Sequence, residues 1–133
     1  MTMEISGIPG LVHDLEKAAT IVLPVVRAIV IKSGQELRDD WRTNARATAG
    51  KHGKLYPSSI TSSGVSGGGD ATVTASGIEV EIGPDSSRKQ GGMGRGFEYG
   101  SVNQPPHLDG MHATEATEPR FHHSIDLAVE GLL

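Results

Sequence analysis

Apolar and small residues recur along the first third of the chain at Leu11, Leu15, Ala18, Val22, Val26, Ile29, Ser33, Leu37 and Trp41. Steps of three and four residues mark one face of a helix. The pattern predicts a single long helix over residues 11–48, on the order of 50 Å at ~1.5 Å per residue. Pro24 lies inside it, removes one backbone donor and crowds the preceding turn, so it either kinks the rod or starts its second half. The β-branched run around Pro24 also suits a buried strand, but the three-four spacing continues on both sides and favours helix. Gly34 weakens the helix by up to ~1 kcal/mol relative to alanine, which a close-packed neighbour would explain. Gly50 and Gly53 act as stop signals.

The period then changes from helical to alternating. Leu55 to Ile60 begins a sheet that extends over 55–101, interrupted by loops at 62–70 and 84–96 read as mobile. Within it, Ala71, Val73 and Ala75 alternate with threonines, and Ile78, Val80 and Ile82 alternate with Glu79 and Glu81. A two-residue turn at Ser76-Gly77 would pair Ala75 with Ile78, Val73 with Val80 and Ala71 with Ile82, a hairpin over 71–83 with one apolar face. Phe97 to Ser101 reads as a further strand, with Phe97 and Tyr99 on one face and Glu98 on the other. An extended loop is expected over 102–120. Ile125, Ala128, Val129 and Leu132 then form the stripe of a short C-terminal helix over 121–131, which must dock because an isolated helix of that length is marginal. The fold class is α+β: a long N-terminal helix, a small antiparallel sheet and a short C-terminal helix, in one domain over 1–133 with residues 1–10 as a flexible arm.

Composition narrows the function. At 133 residues a single domain is the default. Aromatics at 4% with 18 glycines predict a modest core and long loops. A formal net charge of -4 argues against nucleic-acid binding through the whole surface. With no cysteine, disulfides and thiolate chemistry are out of reach. The first ten residues lack the basic start and apolar run of a secretory signal. The most apolar window, Ile21 to Ile31, contains Pro24 and Arg27 and is too short to span a bilayer, which takes ~20 residues, so no membrane partner is expected.

Candidate chemistry is sparse. The glycine-rich stretch at 62–70 lacks the Lys and Ser/Thr of a phosphate-binding loop, and the one at 84–96 lacks the following helix and distant acid of a dinucleotide turn. No cofactor is expected. Arg42, Arg46, Lys51, His52 and Lys54 form the one basic cluster. It is a solvated helix end or a contact for DNA or an acidic partner. His107, His112, Glu115, His122, His123 and Asp126 fall within twenty residues. His112 with Glu115, three apart, and His122 with Asp126, four apart, could each share a helix face, but no recognised zinc spacing appears and Pro119 separates the pairs. Metal binding is not expected, and no catalytic residue is assigned. Glu98, a lone carboxylate, is read as a hydrogen-bond or salt-bridge anchor. Trp41, the one tryptophan, suits a buried anchor and an interface anchor equally.

The segment Gly96 to Pro106, GFEYGSVNQPP, resembles the central motif of the neck or tail-completion proteins of long-tailed phages, also called head-tail joining or minor tail proteins. The surrounding order is similar: a long N-terminal helix, then Gly53, Leu55, Ser59 and Ile60 in a Gly-x-Leu-x-x-Ser-Ile-like segment. A hairpin, the Glu-Tyr-Gly stretch and Pro119-Arg120-Phe121 before a last helix complete it. The chain departs from the pattern in a longer interval before Pro119 and in His122-His123 after Phe121. The resemblance implies a non-enzymatic virion protein assembled in the host cytoplasm, a six-fold ring joining the head connector to the tail. Genomic DNA would pass through its lumen without sequence-specific contact. Its interface candidates are Trp41, Arg42, Arg46, Phe97, Glu98, Tyr99, Gly100 and Phe121. The alternatives are a tail-terminator-type ring, a small metal-dependent enzyme using the 107–126 histidine segment, and an unrelated toxin-like or adaptor module.

Overall fold

The computed structural model describes residues 8–63, 72–74 and 77–131, with side chains over 22–62 and 77–131. Helix α1 (Ile8–Thr48) is continuous through Pro24. At 41 residues it is about 60 Å long. Its stripe is real where side chains are described: Val22, Val26, Ile29, Ser33, Leu37 and Trp41 are all half-buried, while Leu23, Val25 and Ala28, off the stripe, are exposed. The stripe residues Leu11, Leu15 and Ala18 lie outside the described side chains. Residues 8–10, expected as part of the arm, are the first turn of α1, and the rest of the arm lies outside the described residues.

Helix α4 (Asp109–Glu130) covers much of that stripe. It runs antiparallel to α1: its start meets Trp41 and Thr48, its middle meets Asp40, and its end meets Val22 and Val26. A short helix α2 (Tyr56–Ser59) and strand β1 (Ile60–Ser63) follow α1. Strands β2 (Thr72–Thr74), β3 (Gly77–Glu79) and β4 (Glu81–Pro84) come next. They form two small antiparallel pairs, β1 with β4 and β2 with β3. Helix α3 (Gly94–Tyr99) closes the middle of the chain. The core is Ala45, Tyr56, Ile60 and Phe97, with Trp41 and Ala49 packed against it. Gly34 answers the packing expectation: a Cβ there would lie 2.8 Å from Val80 Cγ1 and 3.0 Å from the Ser62 hydroxyl.

Four expectations are corrected. The hairpin register is displaced by two residues, with Val73 opposite Ile78 and Thr74 opposite Gly77, so Gly77 is a strand residue; Ala71, Ala75 and Ser76 of the expected hairpin lie outside the described residues. A shift of two preserves the faces. The second strand then breaks at Val80, and 81–84 pair with β1, setting Ile82 opposite Ser62. Residues 56–59, expected as sheet, form a helical turn with Pro57 in its first turn, where the missing N–H costs nothing. Of residues 97–101, expected as strand, 97–99 end helix α3, Gly100 caps it and Ser101 opens the turn closed against Gln104.

The last correction concerns the C-terminal helix. It is long, beginning at Asp109, so the extended loop is confined to 102–108. Pro119 sits within it. Proline frees the carbonyl of Glu115, and both positions are exposed, so water can satisfy that oxygen. The loop at 84–96 is also structured. The Ser87 hydroxyl and backbone N–H both donate to Asp85 Oδ1, at 2.6 and 2.9 Å, holding that carboxyl below the usual range. Residues 64–70 of the other glycine-rich loop lie outside the described residues.

Candidate functional site

The Glu-Tyr-Gly motif forms a corner between α3 and the start of α4. Phe97 is buried and stacks on Tyr56, with ring centroids 4.5 Å apart at 28°. Its other neighbour is His107, at 5.5 Å. Gly53 permits this placement, since a Cβ there would come within 2.7 Å of Phe97 Cζ.

Glu98 is an anchor, as read from the sequence. Leu108, the residue preceding α4, offers no side-chain cap and holds a left-handed backbone, φ 56°. Glu98 supplies the cap from a distance. Its carboxylate accepts from Gly110 N at 2.9 Å and Met111 N at 3.0 Å, and its backbone carbonyl accepts from Leu108 N at 3.1 Å. A negative charge here satisfies otherwise orphaned donors and suits the positive end of the helix dipole.

Beside it stands a residue that the sequence reading missed. Asp109 is 2% exposed and accepts from the Thr48 hydroxyl at 2.7 Å, while Asn44 donates to its carbonyl at 3.1 Å. His107 Nδ1 lies 4.0 Å from the Asp109 carboxylate. The available signal was an acidic residue opening a helical run, Asp109-Gly110-Met111. Burial pushes the Tyr56 hydroxyl up to about 12; the Trp41 indole N–H partly offsets this, and the charges of Glu98 and Asp109 add to it. That N–H and that hydroxyl nevertheless lack partners at hydrogen-bond geometry. The two carboxylates spend their lone pairs on backbone and hydroxyl donors, which suits a structural joint.

The remaining candidates scatter. Arg42 Nε donates to the Ile60 carbonyl at 2.7 Å, so it ties α1 to β1; burial and the neighbouring Arg38 cation lower its pKa. Arg46 is exposed. Trp41 is half-buried against Gly110 and Gly83. Phe121 is half-buried in the wall of an apolar groove of about 330 Å³, which Leu37, Gly34, Val80 and Ile82 also line. The expected alternation at the motif does not hold: Phe97 and Glu98 are buried together, and Tyr99 is 72% exposed.

Gly100 ends α3 at φ 85°, and a Cβ there would meet Pro106 N at 2.9 Å. The chain then makes a tight turn in which Ser101 and Gln104 exchange backbone bonds of 2.9 and 3.2 Å. Val102 at its apex has no covered surface. Tyr99 and Val102 thus form a firm apolar tip.

The histidines pair locally. His112 lies 3.8 Å from Glu115, and His122 lies 3.4 Å from Glu118 rather than meeting Asp126. Among the described residues no three potential metal ligands converge, and no helix is long and apolar enough to cross a membrane. Comparison with protein-family models, with curated proteins and with solved structures gives no match for this chain.

Proposed function

We propose that the chain is a structural subunit of the phage head-tail junction, a neck or tail-completion protein that assembles as a ring, six-fold by analogy with the family it resembles. In this reading it performs no chemistry. It joins the head connector to the tail in the virion, and genomic DNA passes through its lumen. The Gly96–Pro106 resemblance and the order of elements around it support the family. The observation that carries the assembly reading is apolar surface left open on the two paired helices: Leu23 at 51% and Val25 at 43% on α1, Leu127 at 54% and Val129 at 50% on α4. Val25, Leu127 and Val129 line one cavity at the open end of the pair. Exposed apolar surface gathered in this way marks a protein contact, and a ring subunit buries it against its neighbour.

Mass photometry of the purified chain tests this. A single discrete multimer is expected, followed by localisation of the chain at the neck in electron micrographs of intact particles. A stable monomer at micromolar concentration, absent from the particle, overturns the proposal.

A further inference from the structure

Resting on the ring proposal, we infer that the Tyr99–Val102 tip of one subunit inserts into the apolar groove between α1, β3–β4 and α4 of the next copy. The tip is preorganised. Its turn is closed by the Ser101–Gln104 bonds, Gly100 holds a backbone that side-chain-bearing residues resist, and Pro105 and Pro106 restrict the exit. Order before binding lowers the entropic cost of association. The groove, about 330 Å³, is walled by aliphatic side chains and Phe121, so it offers an apolar receptor to an apolar projection.

Charge complementarity identifies the occupant as another copy. Arg95 is exposed one helical turn before Tyr99, and among the described residues it has no acidic partner. The groove is rimmed by exposed Glu79 and Glu118. A basic tip thus faces an acidic-rimmed receptor. Tip and groove share no residue, so one copy can engage both at once. In a ring the contact is heterologous, each subunit offering its tip to one neighbour and its groove to the other, whereas reciprocal exchange between two copies would stop at a dimer. Such head-to-tail contacts close into rings when the rotation permits.

The chain contains no cysteine, so engineered thiols report the contact directly. Val102→Cys and Thr114→Cys place one thiol on the exposed tip and one on the exposed groove lining. With a short bifunctional maleimide, the double variant is expected to give a ladder of covalent multimers. A mixture of the two single variants should stop at dimers, and each alone should stay monomeric on a denaturing gel. Val102→Asp should weaken self-association at least about tenfold, the scale of an interface anchor, with unchanged melting of the dissociated chain because Val102 is fully exposed. Multimers in mass photometry without a ladder overturn this contact and leave the ring standing on another face. A monomeric wild-type chain overturns both.

Discussion

Trp41 and Gly110 meet so closely that a Cβ at position 110 would lie 2.6 Å from Cζ2 of the indole. The contact locks the start of α4 onto the last third of α1 and fixes which way the second helix runs. Gly110→Ala sets two effects against each other. Alanine gains up to ~1 kcal/mol of helix propensity, whereas overpacking a rigid ring costs ~1–3 kcal/mol. The clash involves three ring atoms within 2.8 Å, so it should win. A net loss of about 1–2 kcal/mol is expected, seen as a lower Tm by circular dichroism. A variant that melts higher would mean that the two helices do not touch here.

Glu98 makes the second prediction. It accepts two backbone N–H bonds at the start of α4, one of them from the buried Gly110. Charge-assisted bonds of this kind contribute ~1.5–3 kcal/mol, and a cap alone ~1 kcal/mol. Glu98→Ala should therefore cost about 2–3 kcal/mol in urea unfolding. Glu98→Gln, which keeps one acceptor and loses the charge, should cost about 1 kcal/mol. Equal stability of all three proteins would remove the capping account of the Glu-Tyr-Gly motif.

Tyr56 predicts the response to alkali. Its hydroxyl is pushed up to about 12 by burial, while a tyrosine in the unfolded chain titrates near ~10. The folded state holds the proton more tightly, so this group's contribution is complete below about pH 10 and is lost as pH rises from there towards 12. The loss is at most about 3 kcal/mol, the linkage for a hydroxyl moved from about 10 to about 12. The hydroxyl is buried without a hydrogen-bond partner, so Tyr56→Phe should be neutral or slightly stabilising at pH 7 and should flatten the alkaline decline. Parallel decline of both proteins between pH 10 and 12 would assign it to other groups.

What the sequence made legible follows from range. The stripe on α1 needs only the three-four spacing of neighbours, and it was read correctly from Val22 to Trp41. The Gly34 contact was anticipated because a glycine inside a helix asks for a reason. The motif at 97–99 was misread because three residues cannot separate a period of 2.0 from one of 3.6. Gly100 at a helix end was the better clue, since its N–H closes onto the Gly96 carbonyl at 2.9 Å. Pro119 reads as a break from spacing alone, and its tolerance depends on solvent at Glu115, which only the packed helix reveals. Arg42 was placed at a surface, yet its partner is the Ile60 carbonyl, 18 residues on. The cap on α4 comes from Glu98, 12 residues before Gly110. Neither bond leaves a local trace in the chain.

The open end of the helix pair supplies the last prediction. Leu23 and Val25 are exposed on α1, and Val22 and Val26, which flank them in the chain, are half-buried and line a cavity with Ile125 and Ala128 of α4. Substituting the outward pair separates assembly from folding. Leu23→Glu with Val25→Glu places two carboxylates at positions 51% and 43% exposed, where the charge can reach water, so the fold should lose no more than about 1 kcal/mol apiece. Burying those same charges in an unpaired subunit contact costs several kcal/mol. The doubly substituted chain should therefore sediment as a folded monomer with wild-type helix content. The inward control, Val26→Glu, should instead lower Tm, because it forces a charge into the α1–α4 seam. If the outward variant assembles as the parent does, this stretch of α1 lies outside the ring contact.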